Sequence, residues 1–199
     1  MPLDIASQRE TFLALCTTFI HREGVDDLLK WFDKSDFYTA PASTRYHGDY
    51  AGGLCQHSMD VFAMAQKLIP AYEELSGLDT ESVAIACLFH DLCKVNFYKP
   101  DERNQKINGQ WVKVPCFTIE EKYCFGGHGS KSVFLVQQLM KLKTDEAAAI
   151  NCHMGFSDGA NVNSVSNAYH AFPLAWLVHA ADEAATYLLN RKNEEKQEG

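Results

Sequence analysis

The sequence has 199 residues, of which 46% are hydrophobic and 22% are charged, and its formal net charge is −8. This composition is ordinary for a globular protein, and the length is enough for one domain with a sizeable core. The acidic balance and the lack of a long basic run disfavour a polynucleotide as partner. A small anionic substrate held by a metal stays compatible with this charge, because the local field at a site need not follow the net charge.

No segment of the sequence predicts a membrane span or a secretory signal. The longest apolar runs are interrupted well short of about 20 residues, and the N-terminus has no basic region followed by an apolar stretch. Seven cysteines are scattered without a C-x-x-C pair, which argues against a disulfide framework and against a thiolate zinc site. We therefore expect a cytoplasmic protein whose reduced thiols pack as small hydrophobic groups.

Helical periodicity dominates the chain. Apolar residues recur at helical spacing in seven segments, namely 5–20, 25–35, 53–75, 79–95, 126–142, 143–154 and 172–197. Pro70 is expected to interrupt the third helix near its end, and Asp79 or Thr80 is expected to cap the fourth. Thr144 is expected to cap the sixth.

The segment 96–119 has a different character. Aromatic residues and valines flank a polar stretch that contains Asn108-Gly109, a dipeptide typical of two-residue hairpin turns. Residues 35–53 and 155–168 are rich in small and polar residues and are predicted to be loops. Together these patterns predict an all-α bundle with one β-hairpin inserted at about 96–119.

The stretch CLFHDLCK, from Cys87 to Lys94, places a histidine, an aspartate and a lysine in an otherwise apolar helical segment. On a helix, His90 and Asp91 lie about 100° apart, and Lys94 follows one turn later on the same side. Charged groups are buried only at a high cost in free energy unless they are paired, neutralised or bound to a metal. This stretch is therefore a candidate functional site.

Four further polar residues lie in similarly apolar settings, namely His57, His128, His153 and Asp182. Each of them alone has an ordinary structural explanation, since a lone helical histidine is more often a hydrogen-bonded core residue than a ligand. Their joint occurrence is harder to explain in this way. Imidazole and carboxylate groups are suitable ligands for Zn, Fe, Mn or Ni, and several helices can direct them at one centre.

The sequence resembles the HD superfamily of metal-dependent phosphohydrolases over residues 45–190. The resemblance is carried by GGLCQHSMDV, CLFHDLCKV, GHGSKS, CHMG and HAADEA, which contain the six candidate ligands in the family's order. The two histidines between the HD pair and the last aspartate indicate the binuclear subset of that superfamily. We therefore expect an HD-domain helical bundle, as a single domain over residues 1–199 that ends in a polar tail over 191–199.

The resemblance also implies a role for each candidate residue. A first divalent ion would have four ligands, namely His57, His90, Asp91 and Asp182. A second ion would share Asp91 as a bridge and would be completed by His128 and His153. The ions, of Fe, Mn, Ni, Zn or Mg, would activate water for attack on phosphorus, and Lys94 would stabilise the negative charge that develops on phosphoryl oxygens.

Other polar residues are weaker candidates. Arg45 and Lys131 are candidates for phosphate contacts, although both are equally well explained as exposed basic residues. His47, in RYHGDY, is a candidate for lining the cleft from a loop. His179 lies one turn before Asp182 and is either an outer partner of that ligand or a packed core histidine.

The sequence leaves three functions open. The leading one is hydrolysis of a phosphomonoester or phosphodiester in a small, nucleotide-like substrate. The second is an oxygenase, because some HD-fold enzymes use a di-iron centre with the same order of ligands. The third is a non-catalytic ligand-binding domain. Metal identity and dependence on oxygen separate the first two, and neither the substrate nor the oligomeric state follows from the sequence.

Overall fold

The structure, a computed structural model, describes residues 4–44, 47–121, 127–157 and 162–189. Eight α-helices lie in these ranges, namely α1 (Ile5–Phe19), α2 (Val25–Asp33), α3 (Gly53–Leu68), α4 (Thr80–Phe89), α5 (His128–Gln137), α6 (Thr144–Cys152), α7 (Val162–Ala171) and α8 (Pro173–Ala184). Two antiparallel strands, β1 (Tyr98–Ile107) and β2 (Gln110–Ile119), form a hairpin between α4 and α5. The predicted all-α bundle with one inserted hairpin is confirmed, and the predicted polar tail over 191–199 lies outside the described residues.

The hairpin turns at the predicted dipeptide. Asn108 and Gly109 have positive φ angles of 50° and 82°. Positive φ at both central residues gives the backbone twist that a two-residue turn between right-twisted strands requires. At the other end of the hairpin, Tyr98 pairs with Ile119, which places the base of the hairpin close to the turn that carries Lys94.

The core forms around α4. This helix is buried continuously from Ser82 to Phe89, as expected for a helix that is apolar on all sides. α3 and α8 pack against α4 and against each other, while α6 packs against α4, α5 and α8. α3 ends at Leu68, just before Pro70, as predicted. None of the helices in the described ranges is long and apolar enough to cross a bilayer.

The helix predicted over 79–95 ends earlier than expected. α4 stops before His90, which is its C-cap, and Asp91 leaves the helical region with a φ of −106° and a ψ of 20°. The cause is local, because Nδ1 of the His90 ring lies 2.8 Å from the carbonyl oxygen of Cys87 and takes the place of the next backbone N–H. Leu92–Lys94 then form a single 3₁₀ turn.

The prediction of a loop over 155–168 is wrong for its second half, because residues 162–168 belong to α7. The polar composition concealed two apolar positions at helical spacing, Val165 and Ala168, which are buried in the core. Residues 158–161 of the predicted loop lie outside the described part of the chain.

The two predicted helix caps differ in outcome. Asp79 caps α4 as predicted, because its Oδ1 accepts the backbone N–H of Glu81 at 3.3 Å. The cap of α6 lies one residue earlier than predicted, at Lys143 instead of Thr144. The cause is the Glu146 carboxylate, which accepts the backbone N–H of Lys143 at 2.7 Å and so fixes the first turn.

Asp79→Ala is expected to lower the free energy of unfolding by about 0.5–2 kcal/mol, the usual cost of losing a side-chain cap. Asp79→Asn is the matched control, since asparagine caps a helix as well as aspartate does but cannot form the ion pair with Lys143. Urea denaturation of the two variants measures the difference. Equal losses in both variants would assign the stabilisation to the ion pair and not to the cap.

Candidate metal centre

Four helices bring five of the six candidate ligands to one buried point. These ligands are His57 in α3, His90 and Asp91 after α4, His153 after α6, and Asp182 in α8. Four of the five are at most 2% exposed, and the side chain of Asp182 is 13% exposed. The polar residues that stood isolated in apolar segments of the sequence are therefore neighbours in the folded chain.

One oxygen of Asp91 lies near the imidazoles of His57 and His90. Its Oδ2 lies 3.7 Å from Nε2 of His57 and 3.4 Å from Nε2 of His90. Oδ1 of Asp182 lies 3.0 Å and 4.0 Å from the same two nitrogens. Two donors that each lie about 2.0–2.2 Å from one ion are separated by roughly 3–4.4 Å, so these distances suit ligands of a shared ion.

The other oxygen of Asp91 faces a different imidazole. Its Oδ1 lies 3.5 Å from Nε2 of His153. Donor atoms of His90, Asp91 and His153 form one group within 4.8 Å of one another, and donor atoms of His57, His90 and Asp182 form a second such group. His90 belongs to both groups, and Asp91 presents Oδ2 to His57 and His90 and Oδ1 to His153.

The imidazoles of His90 and His153 are both oriented by a backbone carbonyl oxygen. Nδ1 of His90 lies 2.8 Å from the carbonyl oxygen of Cys87, and Nδ1 of His153 lies 2.7 Å from that of Ile150. Because a carbonyl oxygen only accepts, Nδ1 carries the proton in both rings and Nε2 keeps its lone pair. Among the described residues, neither Nε2 has a hydrogen-bond partner, and Nδ1 of His57 has none either. Buried lone pairs without a donor fit a cation that coordinates them.

Both carboxylates are ionised inside the bundle. Burial opposes their ionisation, but the ammonium of Lys94 holds the pKa of Asp91 well below its usual range, and the contact with His57 lowers the pKa of Asp182. Nζ of Lys94 lies 2.5 Å from Oδ2 of Asp91, and although burial disfavours the ammonium, this carboxylate raises the pKa of Lys94. Two carboxylates beside one ammonium leave an excess of negative charge that a divalent cation would neutralise.

His128 is the one predicted ligand that belongs to neither group of donors. Its Nδ1 lies 3.5 Å from Sγ of Cys93, which in turn lies 3.9 Å from Oδ1 of Asp91. α5 and α6 approach closely here, since a Cβ on Gly129 would lie 2.2 Å from the carbonyl oxygen of Asn151. His128 thus contacts the cluster through Cys93, a residue that the sequence indicated only as a packing residue. Ligation of an ion by His128 stays a prediction.

The weaker candidates lie in different surroundings. The ring centroids of His47 and His57 are 4.5 Å apart, and burial, followed by this neighbouring imidazole, lowers the pKa of His47 to about 4. Lys131 is buried, and its Nζ lies 2.9 Å and 3.1 Å from the two carboxylate oxygens of Glu121. Arg45 lies outside the described residues. Contacts of these three residues with a phosphate stay predictions.

His179 supports the backbone of His153, one of the candidate ligands. The sequence placed it one turn before Asp182, but its Nδ1 lies 2.7 Å from the carbonyl oxygen of His153. Its ring stacks on that of Tyr169, with 5.6 Å between the centroids, and the Tyr169 hydroxyl donates to the carbonyl oxygen of Cys152. Together these two residues hold the chain at the end of α6, where His153 leaves the helix.

Arg22 joins the two helices that end at His90 and His153. Its Nη2 lies 3.0 Å from Oε2 of Glu81 in the first turn of α4, and its Nη1 contacts Oε2 of Glu146 in the first turn of α6. The partners lie 59 and 124 residues away along the chain, so no local signal in the sequence predicts this contact.

Comparison with known proteins agrees with this geometry. The sequence profile of the HD domain matches residues 54–194. A curated relative, the dihydroneopterin 2′,3′-cyclic phosphate phosphodiesterase of Methanocaldococcus jannaschii, is 26% identical over 147 residues, which are 73% of this chain and 51% of the relative. The chain thus spans about half the length of that relative. No solved structure matches the chain.

Proposed function

Because the chain belongs to the HD domain family, we propose that it is a metal-dependent phosphohydrolase acting on a small phosphate ester. One observation carries the proposal: Asp91 directs Oδ2 toward His57 and His90, and Oδ1 toward His153. A carboxylate with donors on both sides suits a bridge between two ions. The first ion position would have four ligands, namely His57, His90, Asp91 and Asp182. The second would have three, namely Asp91, His128 and His153.

The chain's own residues prepare this site for a cation. The carbonyl oxygens of Cys87 and Ile150 fix the tautomers of His90 and His153, so that each Nε2 is ready to coordinate without rearrangement. When bound, divalent ions of Fe, Mn, Ni, Zn or Mg supply Lewis acidity and activate water for attack on phosphorus. The nearly complete burial of the ligands keeps bulk water away and strengthens every electrostatic interaction at the site.

Lys94 is proposed to act on the substrate. Its ammonium lies 2.5 Å from Oδ2 of Asp91 and its side chain is 13% exposed, so its positive charge would lie near a phosphoryl group bound next to the ions. Such a charge stabilises the negative charge that develops on phosphoryl oxygens. His47, whose ring faces His57, is proposed to contact the substrate from the loop before α3. Arg45 and Lys131 are weaker candidates for the same role.

The substrate is proposed to be a phosphomonoester or a phosphodiester of nucleotide-like size. The Methanocaldococcus jannaschii relative is a phosphodiesterase for dihydroneopterin 2′,3′-cyclic phosphate, which makes a cyclic phosphodiester the first compound class to assay. The net charge of −8 disfavours a polynucleotide. The single-domain organisation and the cytoplasmic location expected from the sequence are part of the same proposal.

An anaerobic substrate panel tests the reaction class. Protein stripped with a chelator is expected to cleave 2′,3′-cyclic nucleotides or nucleoside monophosphates after addition of Mn²⁺ or Ni²⁺, and to lose this activity when the chelator is added again. His57→Ala, purified identically, controls for contaminating phosphatases. Turnover that requires both ferrous iron and oxygen would instead assign the chain to the di-iron oxygenases, and a lack of turnover with every metal would contradict the proposal.

A further inference from the structure

The thiol of Cys93 lies between two of the proposed ligands. The side chain is 1% exposed, and its Sγ lies 3.5 Å from Nδ1 of His128 and 3.9 Å from Oδ1 of Asp91. The backbone N–H of Cys93 donates to Oγ of Ser132 at 3.0 Å. Ser132 is fully buried and lies one turn after His128 on α5. Two contacts of Cys93 therefore attach the beginning of α5 to the turn that carries Asp91.

The contact between His128 and the thiol corresponds to one that two other imidazoles, those of His90 and His153, make with a carbonyl oxygen. His90 and His153 each lie at the end of a helix and place Nδ1 against a carbonyl oxygen of that helix. His128 lies instead at the first position of α5, and its Nδ1 lies against Sγ of Cys93. A partner at one ring nitrogen sets both the orientation of an imidazole and which nitrogen is free to coordinate.

We propose that Cys93 is a positioning residue that orients the His128 imidazole toward the second ion position, an inference that rests on the proposed binuclear site. Sulfur accepts the Nδ1–H of His128, and the thiol S–H is directed at Oδ1 of Asp91, since a thiol is both a weak acceptor and a weak donor. With Nδ1 as the donor to sulfur, Nε2 of His128 would be the nitrogen that coordinates the second ion. Cys93 itself contacts neither substrate nor ion.

A Mn²⁺ titration of chelator-stripped protein, with free Mn²⁺ followed by electron paramagnetic resonance, tests this role. The wild-type protein is expected to bind two ions. In Cys93→Ala, the affinity for one of them is expected to fall by about 10–100-fold, the usual result of removing the outer partner of a metal-binding histidine. Cys93→Ser is expected to restore most of this affinity, because a hydroxyl also accepts and donates. Cys16→Ala is the matched control, since Cys16 is fully buried in α1.

The outcomes distinguish this inference from the function on which it rests. Two ions bound by Cys93→Ala with wild-type affinities would overturn the inference and leave the binuclear proposal standing. One ion bound by every variant, including the wild type, would overturn both. With Co²⁺, an intense sulfur-to-cobalt charge-transfer band that Cys93→Ala lacks would make Cys93 a ligand and overturn its positioning role. Should Cys93→Ala fail to fold, Cys93→Val fills the space without a hydrogen-bonding group and carries the same expectation.

Discussion

Asp91→Ala is expected to abolish metal binding and hydrolysis together. Oδ2 of Asp91 faces His57 and His90 while Oδ1 faces His153, so the substitution removes a ligand from both proposed ion positions. It also leaves the ammonium of Lys94 without the carboxylate that lies 2.5 Å away. Metal content after dialysis against Mn²⁺ and turnover of the best substrate in the panel are the two measurements.

Asp91→Asn separates the loss of charge from the loss of volume. The amide fills the same space, so this variant is expected to fold, which thermal unfolding checks, and to lose metal as the alanine variant does. Asp33→Ala is the control, because it removes a half-exposed carboxylate that pairs with Arg9 on the surface, and it should keep both metal and turnover. A wild-type metal content in both Asp91 variants would exclude Asp91 as a ligand.

Lys94→Ala is expected to keep the metal content and to lower turnover by about 10²–10³, the usual loss when one donor to developing charge is removed. The effect is large because the Lys94 side chain is only 13% exposed and its ammonium acts in a site of low dielectric. Metal analysis together with turnover at saturating substrate separates this role from ligation, since only the turnover should change.

Two further substitutions define what Lys94 contributes. Lys94→Arg keeps the positive charge and is expected to retain more turnover than Lys94→Ala. Lys99→Ala is the matched control, because Lys99 is a half-exposed lysine on β1 whose Nζ pairs with Glu120, and this variant should turn over normally. Normal turnover of Lys94→Ala would contradict the proposed role of Lys94 toward the substrate and would make it only an ion-pair partner of Asp91.

Features that depend on neighbouring residues were predictable from the sequence. The turn at Asn108-Gly109 follows from the positive φ that these two residues tolerate, and the cap of α4 follows from the short acceptor side chain of Asp79. The candidate ligands were recognisable because ionisable groups are costly in apolar helices, and five of the six do meet in the folded chain.

Features that depend on distant partners were not predictable. α4 ends early because the ring of His90 takes over a carbonyl that the helix would otherwise use, which no propensity indicates. The contact between Cys93 and His128 joins residues that are 35 positions apart, and buried cysteines usually act only as small hydrophobic groups. α7 was concealed by its polar composition, because only packing against the core reveals which of its residues are buried.

Anomalous diffraction from crystals grown with saturating Mn²⁺ would locate the ions directly. We expect two anomalous peaks about 3.5–4 Å apart, one on each side of the Asp91 carboxylate. The first should lie about 2.0–2.2 Å from Nε2 of His57 and His90, and the second should have His128 and His153 as ligands. A single peak would contradict the binuclear site, and the lack of any peak among these side chains would contradict the metal centre itself.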